Sequence, residues 1–207
     1  MINAKTLISI ALTVFACSAM GAAQSDTSAT GHIAVTPAGE AAPDFPPPQE
    51  LVIQVEVPAP IHAVWEAFTT SEGLSTWLTP EAVVDLRPGG EWTAKFPGGS
   101  TGGGTIVSFD PEKELVISAL APDRFPHVRA ERTKAVFQFE SRGSGTVVRL
   151  TQSGWKSGPE WTRAYEYLVA GNAQLLSTLH QRFVSGPLDW KAIFGDTSAK
   201  KKDTGSK

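Results

Sequence analysis

Apolar and polar positions alternate at the start of the region that begins near residue 50. Leu51, Ile53, Val55 and Val57 are apolar, whereas positions 54 and 56 are polar or charged. A period of two is typical of a strand with one buried face. Pro58 interrupts this pattern, because proline cannot donate a ladder hydrogen bond. The chain therefore predicts a first strand that ends at residue 57.

A helical period follows the strand. Apolar residues recur at spacings of three and four, at Ile61, Val64, Trp65 and Phe68, which predicts an amphipathic helix. Pro60 is suited to open it, because the first helical turn does not need that N–H. A second short helix is predicted from Ser71 through Leu78, since Pro80 then stops the chain from continuing as helix.

Short apolar runs separated by turns occupy the centre of the chain. Strands are predicted at 83–86, 91–96, 105–109, 115–120, 133–139 and 146–152. The glycine-rich run 98–104 lacks the Lys-Ser/Thr of a phosphate loop and is interpreted as a hairpin connection. A polar loop containing His127, Arg129 and Arg132 is predicted between two of the strands. Consecutive strands joined by tight turns favour an antiparallel meander over a parallel βαβ sheet.

The last predicted element is a long helix that starts at Pro159 and stops before Gly186-Pro187. One face carries Trp161, Tyr165, Leu168, Asn172, Leu175, Leu176, Leu179 and Phe183. This helix is long enough to cross a small sheet, so we predict that its leucines anchor it to the apolar sheet face. The fold class is therefore α+β, with one domain spanning residues 50–195.

The N-terminal segment has the pattern of a secretory signal peptide over residues 1–23. Lys5 precedes an apolar run at 7–16 and small residues at 21–23, and this run is too short to remain as a membrane span. An alternative is a lipid anchor at Cys17, because residues 14–17 resemble a bacterial lipobox. We expect an exported protein, periplasmic or secreted, with no transmembrane span after processing.

The flanking segments, the net charge and the motif content argue against nucleic-acid binding and against catalysis. Residues 24–49 are rich in Pro, Ala, Ser and Thr, which predicts a disordered linker, and residues 196–207 form a short basic tail. The formal net charge is −3 and basic residues form no stripe, so nucleic-acid binding is not expected. One G-x-S-x-G match occurs, at residues 98–102, but it lies in the glycine-rich run between two predicted strands and not at a strand-to-helix turn, and no histidine pair at metal-ligand spacing occurs in the sequence. We therefore expect no catalytic residue, no metal and no cofactor.

The ordered motifs resemble the helix-grip superfamily, which includes START-type lipid-binding domains. Within it, the chain is most similar to the domain called activator of heat-shock protein 90 ATPase homologue. The matching stretches are 57–60, 87–92, 104–107, 145–155 and 182–190. The resemblance implies a curved antiparallel sheet of about six or seven strands, two short helices after the first strand, and a long C-terminal helix across the sheet. Gln152 and Asn172 depart from the family, in which many members carry His and Trp at these positions.

We expect a small apolar or aromatic ligand to bind between the sheet and the long helix. The expected ligand-binding residues are Trp92, Phe96, Phe137, Trp155, Tyr165 and Asn172. Asn172 is a polar amide on an apolar face, so it must bond a strand residue such as Gln138, a water molecule or a ligand. Two other hypotheses are a cyclase-type or hydrolase-type enzyme on the same fold, for which His127 is the best acid–base candidate, and an envelope module for a protein partner.

Overall fold

The computed structural model describes residues 48–96 and 99–194. The predicted signal peptide, Cys17, nearly all of the predicted linker and the predicted basic tail lie outside these described residues. Within them, the chain forms seven strands and five helices. None of the described helices is both long and apolar enough to cross a membrane.

The seven strands form one antiparallel sheet in the order β1-β7-β6-β5-β4-β3-β2. Their bounds are β1 Glu50–Val57, β2 Glu81–Val84, β3 Glu91–Lys95, β4 Thr101–Asp110, β5 Glu114–Leu120, β6 Thr133–Arg142 and β7 Gly145–Ser153. From β2 to β7, neighbours in the chain are neighbours in the sheet, which confirms the predicted meander. Strand β1 is the exception, because it pairs with β7 at the opposite edge from β2.

The inner face of the sheet carries the main core. Leu150 on β7 pairs with Phe137 on β6, which pairs with Leu115 on β5, and all three are buried. Side chains alternate between faces, so residues two positions apart on each strand share this surface. A bulge between Ile106 and Ser108 shifts the register of β4 against β5.

Helices α1 (Ile61–Thr69) and α2 (Ser71–Ser75) cover one end of the inner face. The last carbonyl groups of a helix have no partner within it. In α1 two buried indoles satisfy them: Trp77 Nε1 donates to Ala67 O at 2.9 Å, and Trp92 Nε1 donates to Phe68 O at 2.7 Å. These tryptophans therefore tie the C-terminal end of α1 to the following segment and to β3.

The long helix α4 (Pro159–Ser185) packs mainly against the edge strand β1. Leu176 and Leu179 are fully buried in the main core, whereas Leu168 and Leu175 are half-buried. At the free edge of β1, His180 Nδ1 lies 2.7 Å from Glu56 O. Beyond α4, a short helix α5 (Trp190–Phe194) follows, and Trp190 Nε1 donates to Ser75 O at 2.5 Å.

The polar segment predicted as a loop between β5 and β6 contains a short helix, α3 (Pro126–Glu131). Its first free amides have a partner from α4, because Glu160 Oε1 accepts from the backbone N–H groups of His127 and Val128 at 2.8 and 3.1 Å. The prediction of a plain loop is therefore wrong. The segment was assigned as a loop because most of its residues are polar. The features that indicate a helix are Pro126 at its first position and the buried Val128.

Candidate functional site

One end of the inner sheet face has a floor of small residues. Cross-strand pairs bring together Ala82 with Ala94, Ala94 with Gly102, and Gly104 with Ala119. We call these five residues the small-residue floor. Ala82, Gly102 and Ala119 remain partly exposed, although the neighbouring inner-face positions Ile106, Ile117 and Ala135 are buried. Short side chains on this part of the sheet leave space above it.

The long helix leaves this floor incompletely covered. Because α4 lies mainly against β1, at the far edge of the sheet from β2, its sheet-facing side chains are only partly enclosed in the middle of the helix. Leu168, Asn172 and Leu175 are half-buried there, whereas Leu176 and Leu179 nearer the C-terminus are buried. We call the solvent-facing surface between α4 and the small-residue floor the groove; a pocket of described residues lies elsewhere, between β1 and α4, where Ile53, Val55 and Leu176 are among its lining residues.

A row of hydrogen-bonded side chains crosses from the helix to the floor. Asn172 Nδ2 donates to Gln152 Oε1 at 2.7 Å, and Gln152 Nε2 donates to Thr133 Oγ1 at 2.7 Å. Gln152 and Thr133 are buried, being only 4% and 5% exposed. Thr133 pairs with Ala119 of the floor. We call Asn172, Gln152 and Thr133 the polar ladder.

The polar ladder settles which partner Asn172 has among the described residues. Gln138, the strand residue suggested from the sequence, is exposed on the outer face and bonds Glu114 instead. Successive side chains of a strand point to opposite faces, so Gln138 points to the face opposite that of Phe137 and Phe139. The partner is Gln152, one of the two positions that depart from the family pattern.

Two of the expected aromatic residues adjoin the ladder. Trp155 Nε1 donates to Gln152 O at 2.9 Å, and the Trp155 ring meets Tyr165 edge to face, with centroids 5.0 Å apart. Tyr165 lies about two turns before Asn172 on α4, and therefore on the same face. Trp155, Tyr165 and Asn172 are all half-buried, so the structure brings these three expected site residues together at one side of the groove.

The other three expected residues lie on the sheet side. Trp92 and Phe137 are buried in the main core with ring centroids 6.1 Å apart, and Trp92 pairs across the strands with Gly104 of the floor. They close the packed end of the groove. Phe96 is half-buried after β3, and a Cβ placed on Gly102 would lie 3.3 Å from its ring. The Phe96 ring therefore lies over Gly102 of the floor.

The sequence interpretation missed a second apolar cluster where α3 meets the N-terminal half of α4. Its buried members are Ala121, Phe125, Val128, Trp161 and Ala164. Tyr167 packs against it, with the Arg124 guanidinium 4.0 Å from the Tyr167 ring centroid. The signal that reveals it is the spacing of three between Phe125 and Val128 around a helix-opening Pro126.

Family comparison agrees with this architecture. The family model described as "Activator of Hsp90 ATPase homolog 1-like protein" matches residues 58–183, more than half of the chain. The chain belongs to this family. Among the curated proteins compared with it, none matches. The matched AHSA1-like region contains all six expected site residues and the whole small-residue floor.

Solved structures of other proteins have a similar fold. Protein MLL2253 from Mesorhizobium loti has a TM-score of 0.57 and 22% identity, over 67% of this chain and 99% of that one. The Aha1 dimer protein from Colwellia psychrerythraea has a TM-score of 0.54 and 21% identity, over 66% and 97%. DynU16, a protein from the dynemicin biosynthetic locus, has a TM-score of 0.55 and 17% identity, over 68% and 49%. At these identities the likeness shows the fold of the AHSA1-like domain.

The three described histidines lie on exposed helix positions or at the edge of β1, whereas Tyr165 is an ionisable side chain at the groove. His62 is exposed, and the hydrogen bond that its ring donates to the Glu112 carboxylate, together with the nearby charge of Glu66, raises its pKa above the usual value. His127 is exposed on α3 and His180 adjoins the edge of β1. No group of acidic, His or Cys residues among the described positions is suited to hold a metal ion. The groove thus offers apolar surface, the hydroxyl groups of Tyr165 and Thr133, and neutral amides.

The polar ladder makes Asn172 a sensitive position. Asn172→Leu should lower the free energy of unfolding by about 1–3 kcal/mol, because it leaves the buried amide of Gln152 without that partner. Urea unfolding measures the change. The control Gln174→Leu alters an exposed amide on the same helix and should change stability by less than about 0.5 kcal/mol. Equal effects of the two substitutions would show that the ladder does not stabilise the fold.

Proposed function

We propose that this AHSA1-like domain binds a small apolar or aromatic molecule in the groove between α4 and the sheet. The observation that carries the proposal is the partial exposure of Ala82, Gly102 and Ala119 on the inner face, beside positions that are buried. A binding site for such molecules needs apolar enclosure and a few polar groups that fix orientation. The floor and the aromatic residues supply the enclosure, and the polar ladder supplies the polar groups.

The chemistry of the groove favours binding over catalysis. General acid–base catalysis needs an ionisable side chain within hydrogen-bond reach of the reacting atoms. His127, the candidate named from the sequence, has its side chain exposed on α3, and its backbone N–H is bonded to Glu160. The described residues that border the groove are apolar, aromatic, hydroxyl or amide side chains, and among them Tyr165 carries an acid–base group.

The proposal is tested by native mass spectrometry of the protein purified from its own host. We expect a population with the mass of the chain plus one small molecule, which organic extraction releases. The variant Ala119→Phe, purified in parallel, should lack this extra mass because the larger side chain occupies the space above the floor. Protein that carries no small molecule and binds none from a panel of apolar and aromatic compounds would contradict the proposal.

We further propose that the domain acts outside the cytoplasm, as the N-terminal pattern suggests. N-terminal sequencing of protein from the native host should give Gln24 as the first residue or show a blocked, acylated Cys17. Cys17→Ser separates the two forms, because it should move the protein out of the membrane fraction only if Cys17 carries the lipid. Mature protein that retains Met1 would contradict export by either route.

A further inference from the structure

We infer that the ligand of this groove is a neutral molecule with an apolar body and one hydroxyl group, and that Asn172 receives the hydroxyl. This inference rests on the proposed binding function and defines the ligand class. It follows from two observations: Asn172 Oδ1 has no partner among the described residues, and the inner-face and helix side chains beside the ladder carry no charge.

Within the polar ladder, and within the part of the chain that the structure describes, Asn172 uses its Nδ2 donor and leaves its Oδ1 acceptor without a protein partner. Its Nδ2 donates to Gln152, whose own Nε2 continues the row to Thr133. Among the described residues, Asn172 Oδ1 has no protein partner, and the side chain is half-exposed beside the groove. An amide oxygen accepts two hydrogen bonds. A hydroxyl donor on the ligand would satisfy it.

The buried part of the ladder fixes the position of this acceptor. Gln152 is held at both ends of its side-chain amide, and its backbone carbonyl accepts a hydrogen bond from the Trp155 indole N–H. Asn172 is therefore oriented by a partner that cannot rotate freely. A preorganised acceptor costs less ordering on binding than a mobile one. The rest of the ligand would lie over Ala119 and Gly104, where only apolar surface is available.

The absence of charge in the walls excludes ionic ligands. The residues of the described inner face near the ladder are Ala135, Ile117, Ala119, Gly104 and Gly102, and those of the helix are Tyr165, Leu168 and Leu175. None of these side chains is a cation or an anion at neutral pH. A carboxylate moved into such surroundings loses its hydration without gaining a partner charge. Neutral hydroxyl compounds avoid this cost.

Three matched probes test the inference by isothermal titration calorimetry at pH 7. They are 2-naphthol, 2-methylnaphthalene, which replaces the hydroxyl by a methyl group of similar size, and 2-naphthoate, which carries a charge. We expect the wild-type protein to bind 2-naphthol tightest and 2-naphthoate weakest. In the double variant Gln152→Leu/Asn172→Leu, which removes both amides together, the preference for 2-naphthol over 2-methylnaphthalene should fall about tenfold.

The outcomes separate this inference from the proposed function. Tighter binding of 2-methylnaphthalene than of 2-naphthol by the wild type, or an unchanged preference in the double variant, would overturn the hydroxyl inference and leave the binding function intact. Failure of the wild type to bind all three probes would count against the binding function itself. If the double variant does not fold, the order of affinities in the wild type decides the question, because it needs no substitution.

Discussion

Phe68→Ala is expected to lower the free energy of unfolding by about 3–5 kcal/mol, as removal of a buried aromatic ring does. Phe68 is fully buried, and its ring lies 5.0 Å from Trp77 and 5.1 Å from both Phe137 and Phe139, measured between centroids. The substitution therefore opens a cavity among three aromatic rings. These rings come from the α2–β2 connection and from β6, so they have little freedom to collapse into the space.

Chemical unfolding in urea, followed by far-UV circular dichroism, gives the change in stability. The matched control is Phe96→Ala, which removes the same atoms at a half-buried position and should cost less than half as much. A loss below about 1 kcal/mol for Phe68→Ala would mean that α1 does not pack on β6 as described.

Leu176→Ala is the second large effect, with an expected loss of about 2–5 kcal/mol. Leu176 is 1% exposed and lies on α4 beside Ile53 and Val55 of β1. Because α4 lies mainly against β1, this contact holds the helix on the sheet and so sets the width of the groove. The substitution should loosen the helix as well as destabilise the protein.

Urea unfolding and hydrogen exchange of the α4 amides measure the two consequences. Val184→Ala is the control on the same helix, since Val184 is 57% exposed and its truncation should change stability by less than about 0.5 kcal/mol. If both variants were equally stable, the helix would not be anchored through Leu176.

The sequence predicted most elements of the fold, because their signals are local. Alternation at residues 51–57 identified β1, and the face from Trp161 to Phe183 identified α4. Short turns between most of the strands predicted the order from β2 to β7, because a tight turn places each strand beside the one before it. The pairing of β1 with β7 was not predicted, since no local pattern links two strands about 90 residues apart.

Other features depend on contacts that a single sequence does not encode locally. Trp77 and Trp92 lie near turns, but their indole N–H groups satisfy carbonyl groups of α1, ten and twenty-four residues away in the chain. The sequence also marked Asn172 as a polar group in need of a partner, and Gln152 as unusual. That the two bond each other became visible only when β7 and α4 were placed together.

The most direct test of the groove compares two alanine-to-phenylalanine variants. Ala119→Phe places a ring above the small-residue floor, whereas Ala170→Phe places the same ring on the exposed side of α4. Both should remain folded. By calorimetry with 2-naphthol, we expect Ala119→Phe to weaken binding at least about a hundredfold, an effect that corresponds to some 2.7 kcal/mol, and Ala170→Phe to bind like the wild type. Equal affinity of the two variants for 2-naphthol would contradict a ligand site between the sheet and α4.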